Sequence, residues 1–218
     1  MMKRLFSVMV AGALAACGNT PPAPDWQMNA KASAERATQA WLTGDSRVEA
    51  AEFARARREV ASTGRIDLTA RLELLRCAGR MAALVVEPCA AFDALSADAA
   101  PAERAYARYL AGRSTASDAA LLPQAHRSLA AGSASPDAAL ASITEPLSRL
   151  VAAGALFQRG QATPGVITLA VETASAQGWR RPLLAWLKVQ QARALAAGAA
   201  DEMARIQRRM DLTVMSAE

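Results

Sequence analysis

Histidine is almost missing from this chain of 218 residues: His126 is the single imidazole. General acid–base catalysis relies most often on histidine or on paired carboxylates, so this scarcity argues against a hydrolytic enzyme. Cysteine is scarce too, with three residues, and no cluster of His, Cys and carboxylate has the spacing of a zinc site. Neither G-x-x-x-x-G-K-[ST] nor G-x-G-x-x-G occurs, which removes the common nucleotide-binding loops, and no D-x-D-x-D-G calcium loop is present. Aromatics make up 5% of the chain and lysine is confined to Lys3, Lys31 and Lys188. The remaining basic residues are arginines interleaved with acids at a net charge of +5, without a basic stripe among aromatics, so nucleic acid is not an expected partner. These absences predict no cofactor, no metal and no catalytic set. His126 lies in Pro123-Gln124-Ala125-His126-Arg127-Ser128 with Asp118 nearby, and reads as a surface or structurally satisfied histidine. An enzyme would need acids such as Glu73 and Asp93 to meet only in the fold.

Long apolar runs are also lacking. The one uncharged stretch, Leu5 to Ala16, follows Met1-Met2-Lys3-Arg4 and is too short for a membrane span, which needs about 20 apolar residues. A charged start, a short apolar segment and small residues before a boundary make a cleavable leader over residues 1–16. The boundary reads Leu14-Ala15-Ala16-Cys17-Gly18. This resembles the lipobox of bacterial lipoproteins; the alternative is an ordinary secretory leader with a chance cysteine. The resemblance implies acylation of Cys17 and attachment to a membrane by acyl chains, a single one of which binds only marginally. Gly18 stands where aspartate resembles the inner-membrane retention signal, so the resemblance implies the outer membrane, with the domain in the periplasm. Residues 17–24 hold Pro21, Pro22 and Pro24 and form a tether reaching about 20 Å at about 3.1 Å per residue. Loss of the leader removes Lys3 and Arg4 and leaves a net charge of +3.

What is abundant is alanine, 55 residues of it, the strongest helix former and a poor source of buried area. Strand signals are nearly absent, so residues 25–218 read as one all-α domain of antiparallel helical hairpins, stacked as a short solenoid or an orthogonal bundle. Asp25 is placed as the cap of a helix ending before Gly44, and Ser46 with Glu49 as a capping box for the next, which runs to Thr63. Asp67 opens a third helix carrying Leu68, Leu72 and Leu75, which Glu87-Pro88 must end. Pro101, Pro123, Pro136 and Pro146 suit first turns of short helices. Four helices follow: Pro146 to Arg159, Pro164 to Ala176, Pro182 to Ala197, and Asp201 to about Leu212. The last 60 or so residues resemble tetratricopeptide (TPR) hairpins at Ala192, Leu195, Gly198 and Ala204, without the signature recurring at a period of about 34 residues.

In an oxidising compartment Cys77 and Cys89 form a disulfide, the alternative being two buried thiols. A bond requires the third helix to stop early, with Gly79 as its left-handed end, because an unbroken helix carries Cys77 about 13 Å away from Val86. Tryptophan, tyrosine and arginine are enriched where proteins recognise proteins, so Trp179-Arg180-Arg181 and Tyr106 with Tyr109 are the candidate partner-binding residues. In preference to partner binding, Trp179 is placed as a staple folded back on the next helix and the tyrosines as a half-buried helix face. Trp26 and Trp41 are placed on one face packed against the second helix. Together these features predict a non-enzymatic adaptor held at the outer membrane, with a periplasmic or outer-membrane protein as partner. The alternative is an envelope-binding protein for cell wall, lipid or a small ligand.

Overall fold

A computed structural model describes residues 22–215; the leader, Cys17, the start of the tether and residues 216–218 lie outside the described residues. The elements are α1 (Asp25–Thr43), α2 (Ser46–Ala61), α3 (Ile66–Ala82), α4 (Ala90–Asp93), α5 (Pro101–Leu110), a 3₁₀ segment (Ala116–Leu121), α6 (Gln124–Ala130), α7 (Pro136–Ala141), α8 (Pro146–Gln158), α9 (Pro164–Ala176), α10 (Arg180–Ala196) and α11 (Ala200–Met215). No strand occurs among the described residues, and the fold is all-α, as the composition requires.

The helix ends follow the punctuation with small shifts. Pro101, Pro136, Pro146 and Pro164 open α5, α7, α8 and α9, where the missing N–H costs nothing. Pro123 instead precedes α6 as its N-cap. Asp25 stands in the first turn of α1 rather than capping it, since Pro24 holds that place. Gly44 closes α1 at φ 97°, and Asp45, not Ser46, caps α2 by accepting the Val48 N–H at 2.9 Å. The expected Ser46/Glu49 capping box therefore does not form. Glu49 turns inward, where Arg76 of α3 donates two bonds to its carboxylate.

Two apolar clusters organise the molecule. The smaller joins α1, α2 and the start of α3 through Ala30, Ala34, Ala37, Phe53, Ala56, Val60 and Leu72. The larger surrounds α8, whose Leu150 to Leu156 run is buried on every side, as a central helix must be. α3 and α9 pack against α8, and α1 reaches forward to α10. Contacts between elements so far apart in sequence mark the bundle, not the linear solenoid in which each repeat touches only its neighbours. Gly154 of α8 lies directly on α3: a Cβ there would be 2.5 Å from the Met81 carbonyl oxygen.

The C-terminal end of α3 is finished by tryptophans. The last carbonyls of a helix lack partners within it. Arg80 O and Met81 O accept from residues just beyond, whereas Gly79 O accepts from Trp41 Nε1 at 2.8 Å and Ala82 O from Trp186 Nε1 at 3.1 Å. Trp41 therefore packs on α3, a contact that its spacing with Trp26 did not suggest. Gly79 is not the left-handed end; it is buried inside α3 beneath Trp41, and the chain turns at Leu84, φ 55°.

Candidate functional site

Ending α3 at Ala82 brings Cys77 and Cys89 within 6.1 Å between Cα atoms, and they form a disulfide. The bond closes a 12-residue separation and fixes the 84–89 segment against α3. Closing a loop of this size stabilises a fold by about 3 kcal/mol. The Cys77→Ser/Cys89→Ser variant is accordingly expected to melt roughly 6–12 °C below the oxidised protein, at about 2–4 °C per kcal/mol for a chain of this length. A melting temperature unchanged by reductant would contradict that role.

The Trp179-Arg180-Arg181 cluster is used internally. Trp179 is 8% exposed, and its Nε1 donates to Gln39 Oε1 of α1 at 3.1 Å. The Arg181 guanidinium sits 3.7 Å from the centroid of the Trp41 ring and donates to Ser46 Oγ at 2.8 Å. Arg180 lies over Gly44, whose missing side chain leaves room for the guanidinium. These three residues clasp the start of α10 to the α1–α2 hairpin. As a free partner-binding surface the expectation is corrected, because a buried indole and a stacked guanidinium are already engaged.

Tyr109 is likewise corrected: it is 2% exposed and shares a 3.3 Å hydrogen bond with His126 Nδ1. Burial pushes the Tyr106 and Tyr109 phenols up, so both stay protonated. His126 is buried beside them, and that burial, partly opposed by Glu145, pushes its imidazole down to about 4. The native state therefore holds it neutral, whereas an unfolded chain takes up the proton near pH 6.5. Its stabilisation is complete above about pH 6.5 and is lost as the pH falls toward 4, a change on the order of 3 kcal/mol. His126→Phe is expected to flatten the fall in melting temperature between pH 7 and pH 5; an unchanged slope would exclude the histidine as its source. Asp118 is no partner of His126. Arg108 and the Thr115 backbone and hydroxyl hold its carboxyl below the ordinary range.

The other buried carboxylates are paired with arginines across helices. Arg57 donates to Glu73 at 2.9 Å, and Arg71 donates twice to the same oxygen of Glu103, at 2.6 and 3.0 Å. The second oxygen, Glu103 Oε2, is buried without a hydrogen-bond partner. Glu73 is thus held between α2 and α3, while Asp93 stands exposed on α4, and the two acids serve different surfaces. No group of three metal-ligating side chains occurs among the described residues.

Beside the Arg71–Glu103 pair runs an apolar groove of about 410 Å³ between α3, α5 and the 3₁₀ segment. Leu74, Tyr106, Leu122 and Pro123 line it, with Leu75 and Leu121 at 36% and 44% exposure. Tyr106, half-buried, is the one sequence candidate that the fold places there. Leu75 belongs to the Leu68–Leu72–Leu75 stripe that reads as core, and Leu121 falls in the proline-broken middle; nothing in their spacing marks either as surface. Comparison with protein families, with curated proteins and with solved structures returns no match.

Proposed function

We propose that this chain is a lipid-anchored adaptor of the outer membrane, facing the periplasm, whose α3–α5 groove takes an apolar segment of a protein partner. The observation that carries the reading is the groove itself. Its lining includes two exposed leucines and a half-buried tyrosine, and its volume of about 410 Å³ suits one or two large side chains. The lining is mainly leucine, alanine, proline and tyrosine, which gives the occupant its chemistry: an apolar segment. The buried carboxylates support binding over proton transfer, since Glu49, Glu73, Glu103 and Asp118 each hold an arginine.

The anchor rests on the lipobox resemblance at Cys17. No helix among the described residues is long and apolar enough to cross a membrane. The test is a crosslinking pull-down from intact envelopes with the native chain, Cys17→Ser and Leu75→Glu/Leu121→Glu. Both leucines are substantially exposed, so the double variant is expected to melt as the native protein does while recovering a recurrent partner at least about tenfold less, as loss of an interface anchor does. Equal recovery would overturn the groove, and undiminished recovery with Cys17→Ser would overturn the tether.

A further inference from the structure

We infer that a second cleft, independent of the adaptor groove, binds a small amphiphile with an acidic head group. The cleft measures about 500 Å³ and lies between the C-terminal end of α3, the disulfide-held 85–89 segment, α4 and α5. That volume falls within the range of ordinary small-molecule sites. Its lining is both apolar and charged. Met81, Val85, Val86, Phe92 and Leu110 supply the apolar lining, and both valines stand exposed on a segment that is not helical.

The charged lining comes from guanidinium groups on α3, on α5 and just after α5. Arg80 and Arg108 are spent on Glu87 and Asp118. Arg104 gives an N–H to the Ala99 carbonyl, which leaves its charge uncompensated, and Arg113 is exposed with no ion pair among the described residues. Against these two free cations stands one acid without an ion pair, Asp93. An uncompensated guanidinium beside a low-dielectric wall favours an anion, and its planar fork fits a carboxylate or phosphate. An apolar body of modest length attached to such a head satisfies the apolar and the charged lining at once. The disulfide keeps the apolar wall in place, so the site belongs to the oxidised protein.

The probes are octanoate and octanol, titrated calorimetrically against the full chain in nanodiscs of zwitterionic lipid. Arg113→Glu and the exposed, remote Arg208→Glu serve as the variants, and empty discs correct for partition. Octanoate is expected to bind at least about tenfold more tightly than octanol, and Arg113→Glu to remove that preference while Arg208→Glu keeps it. Equal binding of acid and alcohol, or equal losses in the two variants, would overturn the proposal. A parallel arm adds vesicles of phosphatidylglycerol: competition by octanoate for the vesicles assigns the head group of a membrane lipid to the same cleft, and vesicle binding without any octanoate binding would overturn it.

Discussion

Replacing Trp186 with alanine is expected to destabilise the fold by about 4 kcal/mol, the usual scale for deleting a buried tryptophan. The side chain is fully buried on α10, meets the Phe157 ring of α8 edge-on with centroids 5.9 Å apart, and donates to the Ala82 carbonyl at the end of α3. Its loss opens a cavity at the junction of three helices and leaves a helix-terminal carbonyl without its donor, a group that costs about 1–3 kcal/mol when buried unpaired. Trp186→Phe separates the two effects, keeping most of the apolar area and losing only the N–H; its expected cost is about 1–2 kcal/mol. Urea unfolding of both variants reads the difference. An alanine variant within about 1 kcal/mol of the native protein would remove Trp186 from its place as the link between α3, α8 and α10.

Gly154→Val is expected to cost about 4 kcal/mol or to prevent folding, because overpacking forces backbone to move and side chains out of their rotamers. The neighbour is a carbonyl oxygen of α3, at 2.5 Å from where the Cβ would stand, so relief requires the two central helices to separate. Gly154→Ala makes the sharper comparison. Helix propensity alone favours alanine over glycine by about 1 kcal/mol. The close approach predicts the opposite sign, a loss of about 2 kcal/mol once propensity is set against overpacking. A stabilised alanine variant, measured by thermal unfolding, would show that α3 and α8 are not in contact there.

The existence of most helices was readable because alanine content and the Gly and Pro punctuation are local signals. Pro136 and Pro164 begin helices, and Gly44, Gly160, Gly178 and Gly198 turn with positive φ just beyond α1, α8, α9 and α10. Caps were less readable, since Asp45 and Ser46 are adjacent and both suited to the role; the turn at Gly44 decides for Asp45. Helical rise requires α3 to stop early for Cys77 and Cys89 to meet, and α3 does stop early, at Ala82 rather than at Gly79. That glycine serves a close approach by Trp41, and a leucine takes the strained turn instead.

The candidate site was hardly legible, for a physical reason. Trp179 and Tyr109 are the residue types that recognise partners, but the same types also fill cores, and only tertiary contacts separate the two uses. Gln39 lies 140 residues from Trp179, and Arg71 lies 32 from Glu103, separations at which no local pattern operates. The groove exists because α5 and the 3₁₀ segment stop short of covering Leu75, a property of element lengths in the stretch that prolines divide most finely.

The most direct test of the adaptor reading places a photo-crosslinking amino acid at position 121 in the acylated protein within living cells, with position 58, an exposed site on α2, as control. One recurrent protein adduct is expected from 121, absent from 58 and abolished when Cys17 is replaced by serine. The same adducts from both positions, or none from 121 while the protein is at the membrane, would contradict it.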